Sequence, residues 1–395
     1  MSGEDTADVV VVGGGTVGGW CATFLKQEGA GRVVLIDKSR LGRGASSRAA
    51  GMVRAQGGTR VAVELGMWSI AFYGRQREQL GVDSGFVEQG YFMPAFDEEG
   101  VRVGTERVAM QRTLGLEVEW IGPDEAQKLN PTMAEGVCFG GSYAPGDGYI
   151  DPPRNVLAYA VALTRAGVEI REGVSFLGLR SSDGRLTGIE TSEGVIDTDR
   201  VVLTGGPELA SVGRIAGVTV PAGGVRHQVA VTEQCPDLDP DSHPMVFDIG
   251  EGLYWRPEEG GILFGMSNPD ETPGPARGVD WKYLDHIRRR MAELVPGTRD
   301  LGLRKIWAAT IDYTPDHLPI IGPCGPSGTF VASAGGHGMM QGPGIARAAA
   351  DICLSGSTDL VDTTNLGLDR FDSEGRSRLT PDPIALPFPE RTNQQ

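Results

Sequence analysis

The spacing Gly13-x-Gly15-x-x-Gly18, set between an apolar run and a helical stretch, constrains this chain more than any other feature. Residues Asp8 to Val12 are nearly all valine, as suits a short parallel strand buried on both faces. Thr16 to Glu28 reads as a helix, with Val17, Cys21, Phe24 and Leu25 on one face and Gly29 where a left-handed cap is wanted. A second strand is predicted from Arg32 to Asp37. Between strand and helix, Gly13 permits the tight turn, Gly15 lets backbone approach a pyrophosphate, and Gly18 lets the helix lie close to the strand. The helix N-terminus offers amide donors and partial positive charge to that anion. Asp37, closing the second strand, is placed to hold ribose hydroxyls, and its carboxylate would repel a 2′-phosphate. The unit therefore reads as a Rossmann-type dinucleotide site.

The rest of the chain repeats the alternation of strand, helix and glycine turn. Asn155 to Arg165 reads as a helix leading into a strand near Val168 to Ile170, and Val201 to Leu203 as another buried strand. Arg226 to Thr232 and Gly252 to Met266 have alternating, twisted-sheet character, with a charged helix around Tyr283 to Leu294. The fold class expected is α/β: a Rossmann-type binding domain carrying an inserted mixed β-sheet substrate domain. The first would take residues 1–85, 145–215 and 310–370, the second 86–144 and 216–309. Residues 371–395, rich in proline and charge, are expected to run as an extended tail over the surface.

A formal charge of −16 disfavours nucleic acid and anionic lipid, which leaves a small molecule as the expected partner. The five cysteines lie far apart, with no CxxC or metal-ligand spacing, as in a reducing cytoplasm. No metal is expected. The N-terminus has neither the charge order of a signal peptide nor an apolar run of spanning length, so neither secretion nor membrane insertion is expected.

Beyond Asp37 the chain reads Lys38-Ser39-Arg40-Leu41-Gly42-Arg43-Gly44-Ala45-Ser46-Ser47-Arg48-Ala49-Ala50-Gly51-Met52. This segment resembles the small-residue loop of the D-amino acid oxidase superfamily of flavoproteins, whose backbone passes along the isoalloxazine ring. Thr314-Pro315-Asp316-x-x-Pro319-Ile320-Ile321-Gly322 and Ser333-Ala334-Gly335-Gly336-His337-Gly338-Met339-Met340 are similar to two further motifs of that superfamily. The strand Val201 to Gly206 resembles the Ala-Thr-Gly strand of two-dinucleotide-type flavoproteins, with Thr204-Gly205-Gly206 as a looser form. Within the superfamily the likeness is to the branch of glycine oxidase, the sarcosine oxidase β-subunit and the proline dehydrogenase β-subunit.

The resemblance implies FAD, held by Gly13, Gly15, Thr16, Val17, Gly18, Asp37, Lys38, Gly44, Ala45, Ser46, Ser47, Gly51, Met52, Val174, Gly205, Gly336, Gly338, Met339 and Met340. It implies a non-covalent cofactor, because no histidine precedes His227 and the position of the flavin-linking cysteine of monomeric sarcosine oxidases is Ala309. It also implies substrate-side roles for Arg54, Tyr254, Arg256 and His337. Each of these has a plainer alternative. Arg256 could sit in a surface salt bridge, Arg54 could touch only flavin or structure, and His337 could merely order the pyrimidine edge of the ring. Two departures from the family stand out. The arginine that many members use to grip a substrate carboxylate is Ile311, and the lysine that speeds oxygen reduction in monomeric sarcosine oxidases is Leu263.

No second glycine fingerprint follows a strand, so the organic substrate is the expected electron donor. The leading reading is FAD-dependent oxidation of a small amine or amino acid to an imine. Oxidation of a 2-hydroxy acid or polyol, a flavoprotein subunit of a multi-chain dehydrogenase, and a flavin monooxygenase are the alternatives. An electron-acceptor protein or a quinone is the expected second partner.

Overall fold

The computed structural model describes residues 5–239 and 241–389. Two large sheets organise them. The first has the strand order Ile320–Pro323, Thr329–Ser333, Val201–Leu203, Val9–Val12, Val33–Asp37, Glu169–Glu172. Its members run parallel except for the Ile320–Pro323 edge. Val9–Val12 is central and fully covered, which is why it needs apolar side chains on both faces. On one face lie the helices Thr16–Gln27, Pro152–Ala166 and Gly342–Ser355, sharing a core that includes Trp20, Phe24, Tyr159 and Ile345. Pro152–Ala166 shows why such helices begin and end where they do: Asp151 accepts from the Arg154 amide at 3.0 Å, and Gly167 closes the last turn at φ 76°. On the other face sits the small antiparallel sheet of Phe176–Ser182, Arg185–Thr191 and Gly194–Asp197.

The second sheet is mixed and eight-stranded, in the order Leu303–Tyr313, Gly223–Thr232, Gly261–Met266, Leu253–Glu258, Met245–Asp248, Tyr91–Pro94, Gly141–Ala144, Glu119–Ile121. Helix Trp281–Leu294 covers its outer face through Leu284, Ile287, Met291 and Leu294, which recur at helical spacing. The stretch expected from Gly252 to Met266 is a hairpin of two strands paired from Leu253↔Met266 to Glu258↔Gly261. Strand Leu303–Tyr313 pairs with Gly223–Thr232 along its whole length, so residue 310, where the sequence reading places a boundary, falls inside a continuous strand.

The tail corrects the expectation of a surface chain. Ile384 is wholly buried and Phe388 nearly so, because Ile384, Leu386 and Phe388 pack against the second sheet and remove apolar area from water. All five cysteines are free and buried. Among the described residues no helix is long and apolar enough to cross a membrane, and no cluster of His, Cys, Asp or Glu could hold a metal ion.

Candidate active site

A cleft of about 970 Å³ runs from the carboxyl ends of the parallel strands to the inner face of the second sheet. At the nucleotide end each glycine has a distinct reason. A Cβ on Gly18 would lie 1.9 Å from the carbonyl oxygen of Gly13, so only glycine lets the helix pack this close. Gly13 itself has φ 106° and no room beside Thr204. A Cβ on Gly15 would meet only Ser46 Oγ, at 3.2 Å, so the space above it is open to the cleft. Gly15 is also the N-cap and supplies no side-chain acceptor, although Thr16 N donates to Ser46 Oγ at 3.0 Å. The remaining first-turn amides face a site suited to an anion.

Asp37 ends its strand with Oδ2 accepting from Gly14 N and Oδ1 from Ser39 N, both at 2.7 Å. The carboxylate is thereby fixed in place, with lone pairs left for ribose hydroxyls. Lys38 pairs with Glu208 at 2.5 Å across the cleft mouth, and the Val174 amide donates to the Asp37 carbonyl at 2.9 Å. Gly44, Ala45, Ser46, Gly51 and Met52 line the middle; Ser47 does not. Gly205, Gly336, Gly338, Met339 and Met340 line the opposite wall with His337.

The far end is walled by Arg54, Tyr91, His227, Phe247, Tyr254, Ile311 and Asp312, and by Leu386 and Phe388 of the tail. Arg54 is buried, with Nη2 donating to the Ile384 carbonyl at 2.7 Å and Nη1 to that of Gln56. Its Nε has no partner, and the guanidinium lies 5.5 Å from the Phe247 ring centre. Tyr254 Oη and His227 Nε2 are 2.6 Å apart, with His227 Nδ1 3.1 Å from Ser267 Oγ. Gly265 makes this possible, since a Cβ there would lie 2.3 Å from the tyrosine hydroxyl. Burial lowers His227 to about 4 and raises Tyr254, so the pair is neutral at physiological pH. Burial, with Arg54 and His317 adding repulsion, lowers His337 to about 3, and its Nδ1 is unpartnered. Asp312 is raised by burial against the favourable amides of Gly336 and Gly335, and its Oδ2 has no partner.

Arg256 is the correction among the four substrate-side candidates. It is buried away from the cleft lining, with Nη1 on Glu258 Oε2 at 2.6 Å, Nε on the Ala50 carbonyl at 3.1 Å, and its guanidinium 4.5 Å from the Tyr149 ring centre. Its Nε ties the strand Leu253–Glu258 to the loop at Ala50, while Nη1 bonds Glu258 and the Pro257 carbonyl within that strand. Arg54, Tyr254 and His337 do come together on the cleft wall. Tyr91, Phe247, Asp312, Leu386 and Phe388 were absent from the sequence reading, and His227 entered it only as the first histidine of the chain. An alternation of inward-facing residues along the strands was the signal available for the first three.

These features fit FAD. An uncapped helix N-terminus over an open glycine and a fixed carboxylate at the end of the second strand line one cleft of about 970 Å³, whose walls also carry orphaned polar atoms on His337 and Asp312. The DAO family of FAD dependent oxidoreductases matches residues 8–352. The chain belongs to that family. As a DAO-family flavoprotein it is 30% identical to glycine oxidase of Geobacillus kaustophilus (strain HTA426), a match that covers 80% of this chain and 84% of the relative. It is 28% identical to 4-methylaminobutanoate oxidase (formaldehyde-forming) of Paenarthrobacter nicotinovorans over 93% of this chain, but spans only 46% of that protein. Other curated relatives are likewise more than twice as long as the stretch matched. The solved structure of the Geobacillus kaustophilus glycine oxidase superposes with a TM-score of 0.81 at 27% identity, covering 93% of this chain and all of that one.

Proposed function

We propose that this chain, with FAD bound, oxidises the C–N bond of a small amine or amino acid that carries a carboxylate. The observation that carries the reading is Arg54, a buried cation with an unpartnered Nε on the wall that it shares with Tyr91, Phe247, Tyr254 and Asp312. Its hydrogen bonds go to the carbonyls of Gln56 and Ile384, and although Asp147 and Asp382 lie in its field, a substrate carboxylate can bond it directly. Arg54 takes the role that Ile311 cannot. Bound FAD supplies the two-electron acceptor. The protein's own share is positioning: Arg54 fixes the carboxylate, the aromatic wall excludes water, and Tyr254, aimed by His227, offers a hydroxyl to the substrate. His227 and His337 are both neutral, so neither repels a proton leaving the substrate nitrogen. The donor loses its α-hydrogen with the bonding electron pair, the nitrogen lone pair closes the C=N bond, a proton leaves the nitrogen, and water then hydrolyses the imine. The names of the two curated relatives, both enzymes of amino acid substrates, support the same bond.

Leu263 is apolar and buried where a lysine would favour oxygen, which supports a quinone or a partner protein as the second electron acceptor. Five unpaired cysteines support a cytoplasmic setting. Anaerobic titration of the flavin band with N-methyl amino acids, glycine, proline and matched 2-hydroxy acids tests the proposal. Amines should bleach it, and Arg54→Met should weaken the best of them by about 10- to 100-fold, the worth of a charged hydrogen bond. Bleaching by hydroxy acids alone would overturn the assignment.

A further inference from the structure

The C-terminal segment is anchored as firmly as a core element. Asp316, locked to Arg370 in a wholly buried ion pair at 2.7 Å, accepts the Asp382 amide on its backbone carbonyl at 3.0 Å. Asp382 Oδ1 in turn accepts the Ile384 amide at 3.0 Å and lies where a Cβ on Gly58 would come within 2.1 Å, so glycine is required opposite it. Phe388 stacks on Tyr313 with ring centres 5.2 Å apart and meets His317 edge-on at 5.4 Å. Its ring also occupies the space that a side chain on Gly336 would need, 2.9 Å from the ideal Cβ. Gly336 belongs to the cleft wall, so the ring packs behind that wall where it meets the far end of the site.

From this placement we infer that residues 382–388 form the specificity wall of the substrate site: Leu386 and Phe388 set the size of the substituent accepted, and the Ile384 carbonyl aims Arg54. The inference rests on the amine-oxidising role proposed above and extends it to substrate choice. Leu386 and Phe388 carry no polar side-chain atom, so they discriminate by volume alone. An apolar wall of this kind separates neighbouring homologues by about 10-fold per methylene at its lower limit. The Arg54 Nη2 bond to Ile384 places the charge that grips the carboxylate and the wall that limits the remainder in one rigid unit. The favoured substrate is therefore a short amino acid whose carboxylate meets Arg54 and whose alkyl part ends at Phe388.

The test uses full-length, FAD-loaded protein and a probe that does not turn over. Sodium salts of straight-chain carboxylates, acetate to hexanoate, are titrated while the visible flavin spectrum is followed. Phe388→Ala and Leu386→Ala should move the preferred length towards longer chains, raising the hexanoate-to-acetate affinity ratio by about 10-fold or more. Phe388→Leu, which keeps most of the volume, should give a smaller shift in the same direction and decides the matter if Phe388→Ala fails to hold FAD. A ratio identical to that of the unmodified protein in the Leu386 and Phe388 variants would overturn the inference, as would failure of every carboxylate to perturb the spectrum. Carboxylate binding with a shifted ratio, but no bleaching by any amine, would instead sink the proposed reaction and leave the wall standing.

Discussion

Gly15 and Gly18 lie three residues apart, yet alanine at each should do opposite things. At Gly18 the new Cβ would sit 1.9 Å from the Gly13 carbonyl oxygen, and backbone must move on the order of 1 Å to relieve it. Overpacking of this kind costs up to about 3 kcal/mol, offset by about 1 kcal/mol for alanine over glycine within a helix, leaving about 2 kcal/mol of lost stability. At Gly15 the same methyl meets only Ser46 Oγ at 3.2 Å, and φ −83° suits any residue. The apo-protein then loses about 0.5 kcal/mol, the mild preference against alanine at an N-cap. The methyl instead stands in the room above the helix N-terminus and holds the pyrophosphate off its amides. Losing one charge-assisted hydrogen bond weakens FAD by about 10- to 100-fold. Denaturant unfolding of the two apo-proteins and FAD titration by quenching of flavin fluorescence measure both quantities. Equal destabilisation of the two variants, or unaltered FAD affinity in Gly15→Ala, would refute the reasoning.

Acid precipitation of the holoprotein should release all its flavin, since Ala309 offers no sulfur for a covalent link; colour retained in the washed pellet would contradict this. Reduced enzyme mixed with air-saturated buffer in a stopped-flow cell should reoxidise slowly, and Leu263→Lys should speed it by about 10-fold or more through its charge; no change would show that residue 263 does not limit oxygen use. His227 and His337 titrate near 4 and 3 in the folded protein, against about 6.5 when exposed. Because burial lowers both values, each ring stays neutral as pH falls until about 4, and a limb of kcat/KM between pH 6 and 9 belongs to the substrate amine or to Asp147, which burial raises to about 7. His337→Gln should leave that limb in place, and its disappearance would assign the limb to His337. Arg256→Lys should destabilise the protein while leaving KM unaltered, because the guanidinium serves Glu258, Ala50 and Tyr149.

The nucleotide half was legible because its chemistry is local. Val9–Val12, the three glycines and Asp37 follow one another within a single βαβ unit, where steric need fixes Gly13 and Gly18 and Gly15 leaves the helix N-terminus open. The substrate half was harder to read, because its walls are assembled from strands far apart in the chain. His227 and Tyr254 meet only after strands Gly223–Thr232 and Leu253–Glu258 have each paired with Gly261–Met266. Arg256 looked equivalent to Tyr254, two residues earlier on the same strand, but it forms the salt bridge that was its plainer alternative, with Glu258 two residues on, and it covers the ring of Tyr149 from a distant part of the chain. The helices Arg60–Leu80 and Glu98–Thr113 went unassigned, since weakly segregated apolar residues give them little amphipathic signal. Prolines hid the tail. Ile384, Leu386 and Phe388 alternate with Ala385 and Pro387, a period-two pattern that was the available sign of burial.

The five buried cysteines make the protein its own set of unfolding reporters. Cys21 and Cys353 sit in the core beneath the first and last helices, Cys324 in the core on the far side of the parallel sheet, and Cys138 and Cys235 in that of the second sheet. Burial pushes every one of these thiols upward, Cys324 and Cys353 to about 12, so the thiolate that attacks a disulfide reagent is suppressed in the native state. A chromogenic disulfide added to folded enzyme should therefore find almost nothing to react with. The order in which the sulfurs become modified under mild denaturant would then show which of the three cores opens first, without any introduced label.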